Sequence, residues 1–193
     1  VIYDLLPFEN LFSIGRLDYD TTGIILLTND GDLCYRLSHP KFKIQKKYYV
    51  STDLKLTKDD IEKISIGLSI DTKTKVKADI SFLSNDKNRY YWEVILTEGK
   101  NREIKRIFNH FDIKVHRLHR YEFGGLGLRN IKEGKYKRIN KSELKTLEKN
   151  NITSIINNPE QLEIVKDFST LNNKKTRAVI HIDTGMNRMG FKS

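Results

Sequence analysis

The stretch richest in chemistry is Gly15-Arg16-Leu17-Asp18-Tyr19-Asp20-Thr21-Thr22-Gly23, followed by Ile24-Ile25-Leu26-Leu27 and Thr28-Asn29-Asp30-Gly31. Two carboxylates stand two residues apart beside an arginine, at the entrance to an apolar run. One chemistry open to them makes Asp18 a nucleophile or base at a strand edge, kept ionised by nearby cations. Calcium binding is a second, since Asp-x-Asp-x-x-Gly matches the opening of an EF-hand loop. It fails because Asn29 replaces the closing Glu and the aliphatic run between supplies no ligand oxygens. A metal–nucleotide Asp-x-Asp site finds no further carboxylate cluster. The plain alternative is a capping and turn segment.

The second loaded segment is Glu98-Gly-Lys-Asn-Arg102-Glu-Ile-Lys105-Arg106-Ile-Phe-Asn109. On a helix, Ile104, Ile107, Phe108 and Phe111 form one stripe, and Arg102, Lys105, Arg106 and Asn109 form another. A cationic ridge suits phosphates, or a salt bridge to a buried carboxylate. A solvated helix face is the bland reading. Lys100-Asn101 lacks the glycine spacing of a P-loop. In Lys46-Lys47-Tyr48-Tyr49-Val50 the adjacent tyrosines of a strand point to opposite faces. One can face a pocket and stack on a base while the other packs; two partly buried sheet aromatics is the alternative. His116 and His119 suggest a metal pair, but on a strand they diverge and no third ligand is near, so no metal is expected.

The chain that must position these groups has 193 residues, with 35 Lys+Arg against 25 Asp+Glu, a net +10. That excess favours polyanionic partners, although with so few alanines, Ala78 and Ala178 only, the lysines also look like a compositional bias. No apolar run reaches the ~20 residues of a membrane helix. The single cysteine, Cys34, excludes an internal disulfide, and a reducing, cytoplasmic setting is expected.

Turn chemistry divides the chain into short elements. A strand-like run at 24–28 closes on Asn29-Asp30-Gly31, and a short helix follows, stopping before His39-Pro40. A strand is expected at 46–53, then a helix opened by Thr57 with Asp59 and Asp60 and ended by Gly67. Residues 75–84 and 89–97 alternate around the polar turn 85–88, the clearest hairpin signal. A helix from about Asn101, strands at 115–123 and 135–139, and a helix at 142–149 complete this part. The expected class is α+β, with a mainly antiparallel mixed sheet and flanking helices. After about residue 150 the rhythm becomes βαβ-like: a strand at 152–156, a helix from Asn158-Pro159 to about Phe168, and a strand at 178–182. Residues 147–193 carry 7 Lys+Arg and 5 Asp+Glu, so most of the positive excess lies in the first 146.

Taken together, the segments resemble the bacterial ribosomal RNA pseudouridine synthases typified by RsuA, over about 1–146. Gly15-Arg-Leu-Asp-x-x-Thr-Thr-Gly23 with Leu-Leu-Thr-Asn-Asp-Gly31 resembles the signature around the catalytic aspartate. Lys46-x-Tyr48-x-Val50, Glu98 to Ile107, and Val115-x-Arg-Leu-x-Arg120 resemble the later motifs. The resemblance implies isomerisation of a uridine to pseudouridine in rRNA, with the large-subunit branch fitting somewhat better. It implies that Asp18 acts at the ribose, that Tyr48 stacks on the uracil, and that Lys105 pairs with Asp18. Arg16, Arg102 and Arg106 would contact phosphates or rRNA, a monomer would suffice, and neither cofactor nor metal would be needed. From the opening at Val1 the catalytic domain is expected to be N-terminally truncated and to lack the family's usual S4-type RNA-binding domain, and Arg102-Glu103 stands where many relatives carry Gln or His-Gln.

The tail, divided from the first domain at 147–193, resembles something else over about 151–193. Asp183-Thr-Gly-Met-Asn-Arg188-Met-Gly190 is similar to a segment of alanine racemase, a pyridoxal-phosphate enzyme in which Arg188 would lie near the cofactor. The Schiff-base lysine belongs to a part of that barrel beyond this likeness, and His181 stands where many racemases carry an active-site lysine. No racemase activity and no pyridoxal phosphate are expected. The rival readings are a catalytically inactive RNA-binding module and a non-functional fusion with a racemase fragment.

Overall fold

The computed structural model describes residues 11–128 and 131–148, with the short strands 154–156, 178–180, 182–183 and 191–192. Most of it follows from alternation and capping. In β8 (Tyr90–Leu96) Trp92, Val94 and Leu96 turn inward, and β4 (Lys46–Thr52) buries Lys46, Tyr48 and Val50 in the same parity. These two strands pair antiparallel, as do β4 with β9 (Val115–Phe123) and β8 with β7 (Asp79–Asn85). With β10 (Leu126–Gly127) the sheet order is β10-β9-β4-β8-β7. One strand breaks the antiparallel rule: β2 (Thr21–Gly23) lies parallel to β9. The class is therefore α+β with a mixed, mainly antiparallel sheet.

The helices form where caps satisfy their first amides. Asp30 accepts from the amides of Asp32 and Leu33 to open α1 (Gly31–Ser38). Thr57 and Asp60 exchange bonds in a capping box that opens α2 (Lys58–Gly67), and Ile64 of that helix is fully buried. The third helix, α3 (Glu103–Asn109), starts later than the sequence suggested because Arg102 takes a left-handed φ of 49°. Its buried face, Ile104, Ile107 and Phe108, joins Val50, Trp92, Val94 and Leu96 in the main core. The Trp92 indole N–H donates to the buried Thr52 hydroxyl at 2.9 Å, so its burial leaves no orphaned donor. A second core gathers Ile14 of β1 (Phe12–Ile14), Leu26 of β3 (Leu26–Thr28), Leu37, Ile44, Phe123 and Leu147 of α4 (Lys141–Glu148).

Two expectations are corrected. Residues 135–139 form no strand; they run exposed toward α4, with β10 already at the edge of the sheet. Asn140 and Glu143 exchange side-chain-to-amide bonds of 3.0 and 3.1 Å, which starts α4 at Lys141. The run 75–84 splits into β6 (Lys75–Val76), paired with β5 (Leu68–Ser69), and β7, paired with β8. Further on, β11 (Ser154–Ile156) and β12 (Ala178–Ile180) pair in parallel, as a βαβ unit requires. The helix expected at 158–168 lies outside the described residues. No described helix is long and apolar enough to cross a membrane.

Candidate active site

The loop carrying Asp18 is fastened to the sheet at its far end. The Thr21 amide donates to the Asp18 carbonyl at 2.9 Å, closing a tight turn that β2 leaves directly. β2 then pairs with β9 as Thr21↔Leu118, Thr22↔His119 and Gly23↔Arg120, and the Ile24 amide donates to the Arg120 carbonyl at 2.8 Å. The approach demands glycine: Gly23 has a φ of 121°, and a Cβ there would sit 2.1 Å from the Arg120 carbonyl oxygen. The Arg120 side chain adds a further tie, its Nε donating to the Ile24 carbonyl at 2.8 Å. Gly-x-x-Thr-Thr-Gly thus folds the aspartate turn against one particular strand.

Next to β9, β4 presents Tyr48, which pairs with Arg120 in register and is buried. Burial pushes the Tyr48 hydroxyl up, the Arg120 guanidinium pulls it down by charge and a hydrogen bond, and Glu103 and Asp18 add small upward pushes. Two residues earlier Lys46 is also buried, its ammonium donating to the Ile44 carbonyl at 3.2 Å and the Glu98 carbonyl at 3.4 Å. Burial, and then the nearby Arg120 charge, hold Lys46 below the usual lysine range.

Helix α3 closes the other side with Glu103, only 3% exposed. One carboxylate oxygen accepts from the Lys100 amide at 2.9 Å; the other has no partner. Burial above all, with Glu98 close by, pushes the Glu103 carboxyl up to about 7. A cleft of about 280 Å³ opens between these elements, lined among others by Arg16, Asp18, Thr21, Lys46, Tyr48, Arg102, Glu103 and Arg120.

Of the residues singled out from sequence, Asp18, Tyr48, Arg16 and Arg102 share this cleft. Lys105 and Arg106 do not line it. The Lys105 ammonium pairs with Asp20, not with Asp18, and that hydrogen bond above all holds the Asp20 carboxyl low. Arg106 pairs with Asp71, so two cations of the ridge already face carboxylates. Sequence reasoning passed over Lys46, Glu103 and Arg120. Each had a signal in its parity: Lys46 shares a strand face with Tyr48 and Val50, Arg120 with Leu118, and Glu103 stands four residues before the buried Ile107. His119 hydrogen-bonds to the Thr22 hydroxyl at 2.8 Å, and among the described residues no three potential ligands cluster around a metal position.

Comparison with solved structures places this arrangement in the class of pseudouridine synthase folds. A crystal structure of a pseudouridylate synthase superposes with a TM-score of 0.69 at 30% identity, covering 76% of this chain and 64% of that one. The family described as RNA pseudouridylate synthase matches residues 7–110, and the chain belongs to that family. An uncharacterized RNA pseudouridine synthase of Rickettsia typhi is 38% identical over 162 residues, covering 82% of this chain and 65% of the relative. Ribosomal large subunit pseudouridine synthase B of Bacillus subtilis is 35% identical over 141 residues, covering 72% and 58%. The chain thus spans less than two thirds of the length of these relatives. The alanine racemase N-terminal domain family matches residues 126–193, reaching back past the change of rhythm near residue 150.

Proposed function

We propose that the chain isomerises a uridine to pseudouridine in ribosomal RNA, large-subunit rRNA fitting best because one relative is named for that substrate. The observation that carries this reading is that Asp18 and Tyr48 line one cleft. Asp18 acts at the ribose as nucleophile or base, in keeping with a half-buried carboxylate on a tightly held turn. Tyr48 offers the aromatic wall that a base flipped out of its stack needs. Arg16 and Arg102, exposed where the cleft opens, suit phosphates on either side of the target. Lys105 is placed to act through Asp20 on the turn that carries Asp18, as a positioning residue. Arg106 remains a candidate RNA contact only if RNA displaces Asp71. The reaction rearranges one glycosidic bond without redox change, so we propose no cofactor and no metal. A cytoplasmic monomer suffices for it.

We place the boundary of the catalytic unit just after α4, at about residue 148 in place of 146, with the residues beyond it as a racemase-like appendage. Burial of Leu147 among Ile14, Leu37 and Phe123 supports keeping α4 with the first unit. The test of the activity is Asp18→Asn. It should abolish pseudouridine formation on rRNA fragments and leave RNA binding intact. Formation of no pseudouridine by the intact chain on any rRNA fragment would leave the RNA-binding module as the better account.

A further inference from the structure

Among the described residues, the buried polar side-chain atoms with no hydrogen-bond partner are Thr21 Oγ1, Glu103 Oε1 and Arg120 Nη2. All belong to residues lining the one cleft. A buried donor or acceptor left unpaired is costly, so their gathering there marks a place where a ligand completes the bonding. Arg120 is the cation of the set. It is 2% exposed, and its guanidinium is fixed by the Ile24 carbonyl at 2.8 Å and by the Phe123 ring, whose centroid lies 5.1 Å away. The Lys105 ammonium, the other cation expected here, is taken by Asp20.

We infer that Arg120 is a catalytic residue whose free Nη2–H donates to a carbonyl oxygen of the flipped uracil and stabilises that ring as it departs as an anion. The inference rests on the proposed isomerase reading. Whichever role Asp18 takes, the C1′–N1 bond breaks and its electron pair leaves with the uracil, delocalised onto the ring oxygens. The pair is used again when C5 attacks C1′; the proton then leaves C5 for solvent, and N1 is protonated. A rigid, desolvated donor aimed at the place where charge develops lowers the barrier to the first of these steps without reorganising. Arg120 also joins the two halves of the site, since the same side chain ties the Asp18 turn to β9 and touches Tyr48.

The test is a leaving-group comparison. Single-turnover consumption of uridine and of 5-fluorouridine in the same rRNA fragment is measured for wild type, Arg120→Lys and Arg120→Gln by nuclease digestion and mass spectrometry. Fluorine stabilises the departing anion itself, so it should partly replace the guanidinium. Loss of the donor should slow uridine by about 100-fold and 5-fluorouridine by less than about tenfold. Arg120→Lys keeps a charge in the same place and guards against a glutamine variant that fails to fold. Equal losses on both substrates would overturn the role. If they come with a displaced acid limb in the pH–rate profile, Arg120 acts on Asp18 instead; without it, Arg120 is structural. A wild type that consumes neither substrate would overturn the isomerase reading together with the inference.

Discussion

Glu103→Gln should make the protein more stable above neutral pH and leave it unchanged in acid. The native carboxyl is pushed up to about 7 by burial, against about 4.3 in an unfolded chain. Below the unfolded value the group is protonated in both states and contributes no difference. Between the two values the folded state holds the extra proton, so stability falls as pH rises. Above about 7 the folded protein keeps an ionised, buried carboxylate at full penalty. At about 1.4 kcal/mol for each tenfold in acidity, that penalty is about 4 kcal/mol. Gln resembles the protonated acid in shape and charge, and its carbonyl can still accept from the Lys100 amide, so the cap survives. Urea unfolding from pH 4 to 9 should show wild type and variant coincident near pH 4 and apart by about 4 kcal/mol at pH 8, or about 8–16 °C in Tm. Superimposed curves throughout would refute the reasoning. A less stable variant at pH 8 would refute it more strongly, by showing that Lys46 and Lys100 compensate the charge.

Gly23→Ala should be far more costly than its size suggests. The left-handed backbone alone costs about 1–3 kcal/mol, and the new methyl meets main-chain atoms of Arg120 that cannot swing aside. Thermal unfolding should detect the loss, and pseudouridine formation should fall with it because the Asp18 turn loses its anchor on β9. The three arginines proposed as RNA contacts should separate in salt titrations of RNA binding. Arg16→Ala and Arg102→Ala should each flatten the log–log slope by about 0.7 for single-stranded contacts, whereas Arg106→Ala, whose guanidinium already faces Asp71, should barely change it.

The parts of the fold legible in the sequence were those decided within a few residues of one another. The hairpin of β7 and β8 follows from alternation around 85–88, and the starts of α1 and α2 follow from Asp30 and Thr57. What escaped depends on distant partners. β2 is a strand only because β9 accepts it in parallel, and nothing in Thr21-Thr22-Gly23 announces a partner nearly a hundred residues away. The 135–139 segment has strand-like residues but pairs with no strand of the sheet, so alternation there does not become structure.

The same division runs through the site. Local motifs picked out Asp18 and Tyr48, and the fold brings them to one cleft. Which carboxylate the helix ammonium meets is a different kind of question. Asp18 and Asp20 stand two residues apart, and the turn closed by the Thr21 amide separates them: Asp18 faces the cleft, and Asp20 is the one that reaches Lys105. Charge pairing read along the sequence could not choose between them, because the choice is made by how the turn folds. In the cleft that Asp18 and Tyr48 share, a cation paired in register with Tyr48 is the buried Arg120, reached through strand parity. A cation that enters the site on a strand is held by main-chain pairing along its length and cannot swing out with solvent, as an ammonium on a half-exposed helix face can.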